Sequence, residues 1–151
     1  NSARALVKAG KIREGEKAFS VIEEKYDGGY SSLSKFNRAA LTNDTSKAIQ
    51  IYRKLVSSEG LEKPYKDLAL ILGASLQLEK NAKSSDLIEK VKKLDVATNP
   101  WRHSVREIIA LNFLQTGDKK KAKDIFLRLV NDKTTPRNIS TRGREILGII
   151  E

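Results

Sequence analysis

The sequence predicts an all-α fold, and three observations support this prediction. Residues that favour turns recur at intervals of helical length, namely Gly10, Gly28, Asn43, Gly60, Asn81, Asn99, Gly117 and Pro136. The segments between them carry apolar residues at helical spacing. Ala, Leu, Lys and Glu are frequent, whereas the β-branched and aromatic clusters that strands favour are sparse. A length of 151 residues fits one domain, which we assign to residues 1–151.

Two stretches of the chain share one pattern at a constant offset. Residues 36–56 and 110–130 align so that an acidic residue, a small residue, an aromatic residue and a leucine coincide. The first can cap a helix, the second lets two helices approach closely, and the last two fill the space beyond. Gly117, aligned with Asn43, can adopt the left-handed conformation that ends a helix. The remaining pairs are Asp44 with Asp118, Ala48 with Ala122, Tyr52 with Phe126, and Leu55 with Leu129.

Two further hairpins and a closing helix complete the predicted architecture of about four hairpins, which indicates a helical repeat. A looser N-terminal copy follows Gly10, and another hairpin joins residues 65–80 to residues 84–94. Residues 137–150 are predicted to form a helix that caps the stack. The apolar residues expected to be buried are Ala18, Val21 and Ile22 in the first segment, Leu87, Ile88, Val91 and Leu94 in the second, and Ile139, Ile146, Leu147 and Ile150 in the last.

The formal charge of +10 raises the possibility of nucleic-acid binding, but its distribution argues against it. Residues 1–75 carry +4 and residues 76–151 carry +6, so the excess is spread evenly. Nucleic-acid binders concentrate charge and interleave aromatic residues, and only nine aromatic residues are scattered here. A lysine-rich solvated surface is the favoured interpretation.

Composition also bears on the membrane. The longest apolar stretch, Leu68 to Leu78, is far shorter than the ~20 residues of a membrane span and predicts a buried helix. The chain contains no methionine, even at position 1. We therefore expect the soluble part of a longer protein, in which a signal peptide or membrane anchor could precede Asn1.

The sequence contains no recognisable arrangement of catalytic residues, and we expect no enzyme activity and no cofactor. The absence of cysteine excludes disulfides, thiolate metal sites and cysteine nucleophiles. His103 is the only histidine, so a zinc site or a Ser-His-Asp arrangement is improbable and a surface or half-buried imidazole is favoured.

Three other features each have a structural and a functional interpretation. Asn99 and Pro100 suit a helix start, and Trp101 is expected to pack against a neighbouring helix, with ligand stacking as the alternative. Arg142 and Arg144 could bind a carboxylate or phosphate, although bonds to neighbours such as Glu145 or to nearby helix ends are favoured. The cluster Lys119–Lys123 is interpreted as a solvated face, with contact to anionic lipid or an acidic partner as the alternative.

The helix–turn pattern resembles a degenerate tetratricopeptide repeat, and the C-terminal half sharpens that resemblance. An ordered set of residues looks like the tetratricopeptide-like domain of bacterial ancillary Sec translocon subunits and cell-division coordinators, in the alphaproteobacterial form. Gly143 departs from that pattern, since alanine is usual there, at a cost of roughly 1 kcal/mol in helix propensity. The set comprises Asn99, Pro100, Trp101, Arg102, Glu107, Ala110, Leu111, Gly117, Asp118, Ala122, Phe126, Leu129, Asp132, Pro136, Arg142 and Arg144.

The resemblance implies a right-handed solenoid tethered to the inner membrane by an N-terminal helix, with its repeats on the periplasmic side. It further implies protein partners, which would be translocon or chaperone components or unfolded clients, and no small-molecule substrate.

If a helical solenoid binds its partner in the concave groove, the first helix of each hairpin lines that groove. The residues expected there form the predicted binding surface: Arg4, Lys8, Asn37, Leu41, Glu107, Leu111 and Gln115. The leading hypothesis is thus a scaffold that binds proteins. The alternative is a basic α-solenoid that binds nucleic acid or an acidic partner.

Overall fold

A computed structural model describes residues 29–81 and 86–150. Seven α-helices and one 3-10 turn occur in these ranges, and no strand does, so the predicted all-α class is confirmed for this part of the chain. The predicted N-terminal hairpin, with Arg4, Lys8 and Gly10, lies outside the described residues. The chain divides into two compact units, residues 1–73 and residues 74–151.

In the first unit, helices α1 (Gly29–Leu41) and α2 (Thr45–Val56) pack against each other across a short turn. The side chain of Asp44 caps α2 by accepting a hydrogen bond from Lys47 N at 3.1 Å. Tyr52 is buried and its ring centroid lies 6.2 Å from that of Phe36 on α1. This is the predicted hairpin, with its predicted cap.

Helix α3 spans Lys63–Glu79 and contains the apolar stretch noted above. Pro64 occupies its first turn, where a missing N–H costs nothing. Asn81 follows its end with a left-handed φ of 57°, as a turn residue there requires. The division between the two units falls inside α3, between Gly73 and Ala74. Within the described residues, no helix combines the length and apolar character that a membrane span requires.

The second unit continues with α4 (Asp86–Val91), a 3-10 turn (Lys92–Leu94), α5 (Arg102–Gln115), α6 (Lys119–Asn131) and α7 (Arg137–Ile149). Helix α5 packs against α4, α6 and α7, and α6 packs against α7. Leu87, Ile88 and Val91 are buried as predicted, and Leu94 is half-buried. The predicted closing helix is α7.

The core of α5–α7 is built from small and large residues together. It comprises Ala110, Ala122, Phe126, Leu129 and Ile139. Ile146, Leu147 and Ile150, expected to be buried, pack against this cluster and stay partly accessible. All six residues of the aligned Ala, aromatic and Leu positions are buried in both hairpins. Burial at the same offset confirms that the two stretches pack in the same way.

The turns of the two hairpins differ although their caps agree. Gly117 has φ 89°, and the amides of Gly117 and Asp118 bond to the carbonyls of Leu114 and Phe113 at 3.2 and 2.8 Å. These two bonds define a Schellman motif. Asn43 has no positive φ; instead, Asp44 N donates to Thr42 Oγ1 at 3.2 Å. Asn43 therefore does not reproduce the conformation of Gly117, and the Thr42 side chain takes part in this turn instead.

Gly143, where the resemblance would place alanine, marks a close approach between α6 and α7. It is buried, and a Cβ added to it would lie 3.1 Å from Val130 Cγ2 and 3.8 Å from Phe126 Cδ1. Valine is stiff at χ1 in a helix, so Val130 has little room to yield. Glycine at position 143 costs helix propensity, but the absence of a side chain lets α6 and α7 pack closely, which offsets that cost.

Gly148 provides a matched comparison, because it lies in α7 with nothing within 4 Å of an added Cβ. We expect Gly148→Ala to raise the free energy of unfolding by about 0.5 kcal/mol through helix propensity. The free energy of unfolding of Gly143→Ala should be lower than that of Gly148→Ala by at least about 1 kcal/mol, because the new methyl group crowds Val130. Urea unfolding followed by circular dichroism checks this difference; equal gains at both sites would contradict the close approach.

Candidate binding site

A groove of about 460 Å³ lies on the second unit between α5, α6 and the segment after the 3-10 turn. We call it the α5–α6 groove. Its volume lies within the roughly 300–1,000 Å³ typical of ligand sites. Three apolar residues and four charged residues line it: Ile109, Ile125 and Leu129, together with Asp95, Arg106, Arg128 and Asp132.

Helical spacing brings these residues to one place. Arg106 and Ile109 are three residues apart on α5, so they share a face of that helix. Ile125 and Arg128 have the same spacing on α6, with Leu129 beside them. Because α5 and α6 pack against each other, the two faces meet along their contact.

The charged residues of the α5–α6 groove differ in what they already bind. Arg106 Nε lies 2.7 Å from Asp95 Oδ1, an ion pair across the groove's edge. Asp132 Oδ1 accepts hydrogen bonds from Thr134 Oγ1 at 2.6 Å and Thr134 N at 2.9 Å. These bonds hold the pKa of the Asp132 carboxyl below its usual range. For the exposed Arg128 guanidinium, no hydrogen bond or ion pair with any described residue is found.

Beside the groove, His103 joins the start of α5 to the loop between α6 and α7. His103 is only 5% exposed, so the prediction that its imidazole lies at the surface or is half-buried is wrong. Its Nε2 lies 3.2 Å from Thr134 Oγ1 and its Nδ1 lies 3.3 Å from Thr135 Oγ1. The imidazole thus bridges two consecutive threonines of residues 132–136, which we call the α6–α7 loop.

The hydrogen bonds assign the tautomer of His103. The single hydroxyl proton of Thr134 goes to Asp132 at 2.6 Å, so Thr134 Oγ1 accepts from a protonated Nε2. Nδ1 then accepts from the Thr135 hydroxyl. Burial away from water lowers the pKa of His103, as do Arg102 and Arg106, while Asp132 opposes them. The neutral imidazole therefore holds the loop.

The structure gives positions for five residues of the predicted binding surface. Asn37 is exposed on α1 and Leu41 is half-buried at its end. Glu107, Leu111 and Gln115 lie on α5, and each contacts other parts of the second unit. Their role in binding remains a prediction.

Glu107 forms a two-pronged ion pair with Arg142 on α7. Arg142 Nε and Nη2 donate to Glu107 Oε2 and Oε1 at 2.9 and 2.8 Å. Arg142 was expected to bond to neighbours such as Glu145; its closest partner is instead 35 residues away. Sequence spacing within one helix gave no sign of this contact, because it depends on how α5 and α7 pack.

The other two α5 residues are also engaged. Gln115 Nε2 donates to Leu78 O at 2.6 Å and so ties the end of α5 to the end of α3. Leu111 packs against the α5–α7 core.

The remaining candidates fall outside the groove. Asn99 Oδ1 accepts from Trp101 N at 2.8 Å, but α5 begins only at Arg102, with Trp101 at its N-cap. The predicted cap at Asn99 and the predicted first-turn position of Pro100 are therefore wrong, and both residues lie just before the helix. Lys119, Lys120 and Lys123 are exposed on α6, and Lys121 lies 5.4 Å from the Phe113 ring centroid and 3.7 Å from Asp118.

The groove itself was not predicted from the sequence, although Leu129 and Asp132 drew attention for other reasons. The signal that could have found it is the matching three-residue spacing of Arg and Ile on the two helices of one hairpin. No group of His, Cys, Asp or Glu side chains in the described part of the chain could hold a metal ion.

No protein-family profile matches the chain, and neither a curated protein nor a solved structure matches it significantly.

The buried imidazole makes stability depend on pH. The folded state lowers the pKa of His103 below its ordinary value of about 6.5, so the unfolded chain takes up the proton first. The contribution of neutral His103 to the free energy of unfolding is fully present above about pH 6.5, and it is lost as the pH falls through the folded-state pKa. We expect the free energy of unfolding to fall in that window and the His103→Gln variant to lack this component. Fluorescence of Trp101, the only tryptophan, reports on the second unit; identical pH profiles would contradict the prediction.

The Glu107–Arg142 pair should couple α5 to α7 measurably. Its two parallel bonds are strong in geometry, but the Arg142 side chain is 49% exposed, so water screens the pair. A double-mutant cycle of Glu107→Gln and Arg142→Gln should give a coupling energy of about 1 kcal/mol. Arg144→Gln, on the same helix, should couple to Glu107→Gln by less than about 0.3 kcal/mol. Equal couplings would contradict a specific contact.

Proposed function

We propose that the chain is a protein-binding module built from helical hairpins, and that the second unit contacts its partner at the α5–α6 groove. The single observation that carries this proposal is the composition of the groove. Three aliphatic side chains lie among two arginines and two aspartates on a mostly polar surface, and a small apolar patch inside a polar rim that includes arginine is typical of surfaces that bind proteins. Because the groove lies between packed helices, it can receive a segment of a partner protein.

The finer form of the proposal draws on the sequence resemblance. The two equivalent hairpins support a tetratricopeptide-like, right-handed solenoid. In this form the protein is anchored in an inner membrane, faces the periplasm, and binds translocon components, chaperones or unfolded clients. The support for compartment and partner is the ordered C-terminal set of residues alone.

Nucleic-acid binding is the rival function, and the positive charge favours it. Against it, the four lysines at the start of α6 lie near a single aromatic ring in the described part of the chain, that of Phe113, whose centroid is 5.4 Å from Lys121. Stacking of bases would require such side chains.

Photocrosslinking in cells that naturally contain the protein tests the proposal. A photoreactive amino acid at Asp124 lies on α6 one turn before Arg128, and one at Asn37 lies on the predicted binding surface. One at Arg144 on α7 serves as the control. We expect discrete products from Asp124 that protease removes and nuclease leaves intact, and none from Arg144. A product from Asn37 would show that the predicted binding surface on α1 also contacts the partner.

Two results would contradict the proposal. The first is no product from Asp124, the position beside the groove. The second is a product that nuclease removes, which would favour the rival. In that case a labelled oligonucleotide should also bind at low salt and dissociate steeply as salt rises, in proportion to the phosphates neutralised.

A further inference from the structure

We propose that the α5–α6 groove takes an acidic amphipathic segment of a partner protein, with a carboxylate on the Arg128 guanidinium and branched aliphatic side chains on the apolar floor. This inference rests on the proposed function and specifies the chemistry of the partner.

The first step is the state of the two arginines. Arg106 is already held by Asp95 at 2.7 Å, so its charge is largely satisfied within the protein. Arg128 has no such partner among the described residues and is exposed on α6. A guanidinium offers a planar set of donors that matches a carboxylate in a two-pronged arrangement. Arg128 is therefore the cation in the groove with unused binding capacity.

The second step concerns the two aspartates, which could instead attract a basic segment. Asp95 is paired with Arg106, and one Asp132 oxygen accepts two hydrogen bonds from Thr134. Binding a cation at Asp95 would compete with its ion pair to Arg106, and a cation at Asp132 would have to share a carboxylate that already orients the α6–α7 loop. The chain also carries a formal charge of +10, which attracts acidic partners over distance and repels basic ones.

The third step concerns the floor of the groove. Ile109 and Ile125 are half-buried and line the groove beside the buried Leu129. Covering their accessible apolar area would favour binding through the hydrophobic effect. Aliphatic side chains fit this floor, whereas nucleic-acid bases would find no aromatic platform among its lining residues. The occupant therefore combines carboxylates with aliphatic side chains, as one face of an acidic amphipathic helix does.

The probe is a fluorescein-labelled 14-residue peptide with a repeating Glu-Leu-Leu-Glu pattern, used below its self-association concentration. One control peptide replaces every Glu by Gln, and a second replaces every Leu by Ala. Fluorescence anisotropy measures binding to the whole chain. We expect saturable binding of the first peptide and affinities about tenfold or more weaker for both controls.

Charge reversal at matched sites then locates the binding. Arg128→Glu and Arg144→Glu change the net charge equally, but only Arg128 lines the groove. We expect Arg128→Glu to weaken binding by about tenfold or more and Arg144→Glu by less than about threefold. Arg128→Gln should give an intermediate loss. Circular dichroism checks that each variant remains folded; Arg128 is exposed, so its replacement should be tolerated.

Three outcomes would overturn the inference: no binding of the acidic peptide, equal weakening by the two charge reversals, or equal binding of the Gln peptide. These failures are distinguishable from failure of the proposed function. If crosslinking at Asp124 captures a protein but the acidic peptide does not bind, the module binds proteins and only the chemistry of the partner is wrong.

Discussion

The close packing of α5, α6 and α7 is the constraint on which the rest of the second unit depends. Buried alanines at Ala110 and Ala122 and the bare backbone at Gly143 leave room for the Phe126 ring at the centre. Because protein interiors tolerate few voids and little overlap, this combination fixes the spacing of the helices. That spacing in turn sets the distance between the lining residues on α5 and those on α6, so the groove is a consequence of the core.

Polar contacts then fix details that packing leaves open. His103 holds the α6–α7 loop against α5, and Glu107 holds α7 through Arg142. Asp132 belongs to both systems, since it lines the groove and accepts the Thr134 bonds that orient the loop. The loop and the groove are therefore coupled through one carboxylate, while Arg128 remains available to a partner.

The parts of this structure that sequence reasoning could predict are local. Helical periodicity predicted the helices, the Asp44 and Asp118 caps, and burial of the small-aromatic-leucine stripe, because each depends on residues within a turn or two. Burial of His103, the Glu107–Arg142 pair and the groove depend on contacts between segments about 30 residues apart or on different helices. Such contacts follow from the angle and depth of helix packing, which spacing along one chain does not specify. The glycine at Gly143 looked like a cost for the same reason, since its benefit lies on α6.

The claim that the α5–α6 groove receives a partner is tested most directly by nuclear magnetic resonance. The isotope-labelled chain is titrated with the Glu-Leu-Leu-Glu peptide, and backbone amide shifts are followed. We expect the largest changes at Ile109, Ile125 and Arg128, saturating together, with little change along the exposed part of α7. Shifts confined to Lys119–Lys123, or the absence of any saturable shift, would contradict a binding site in the groove.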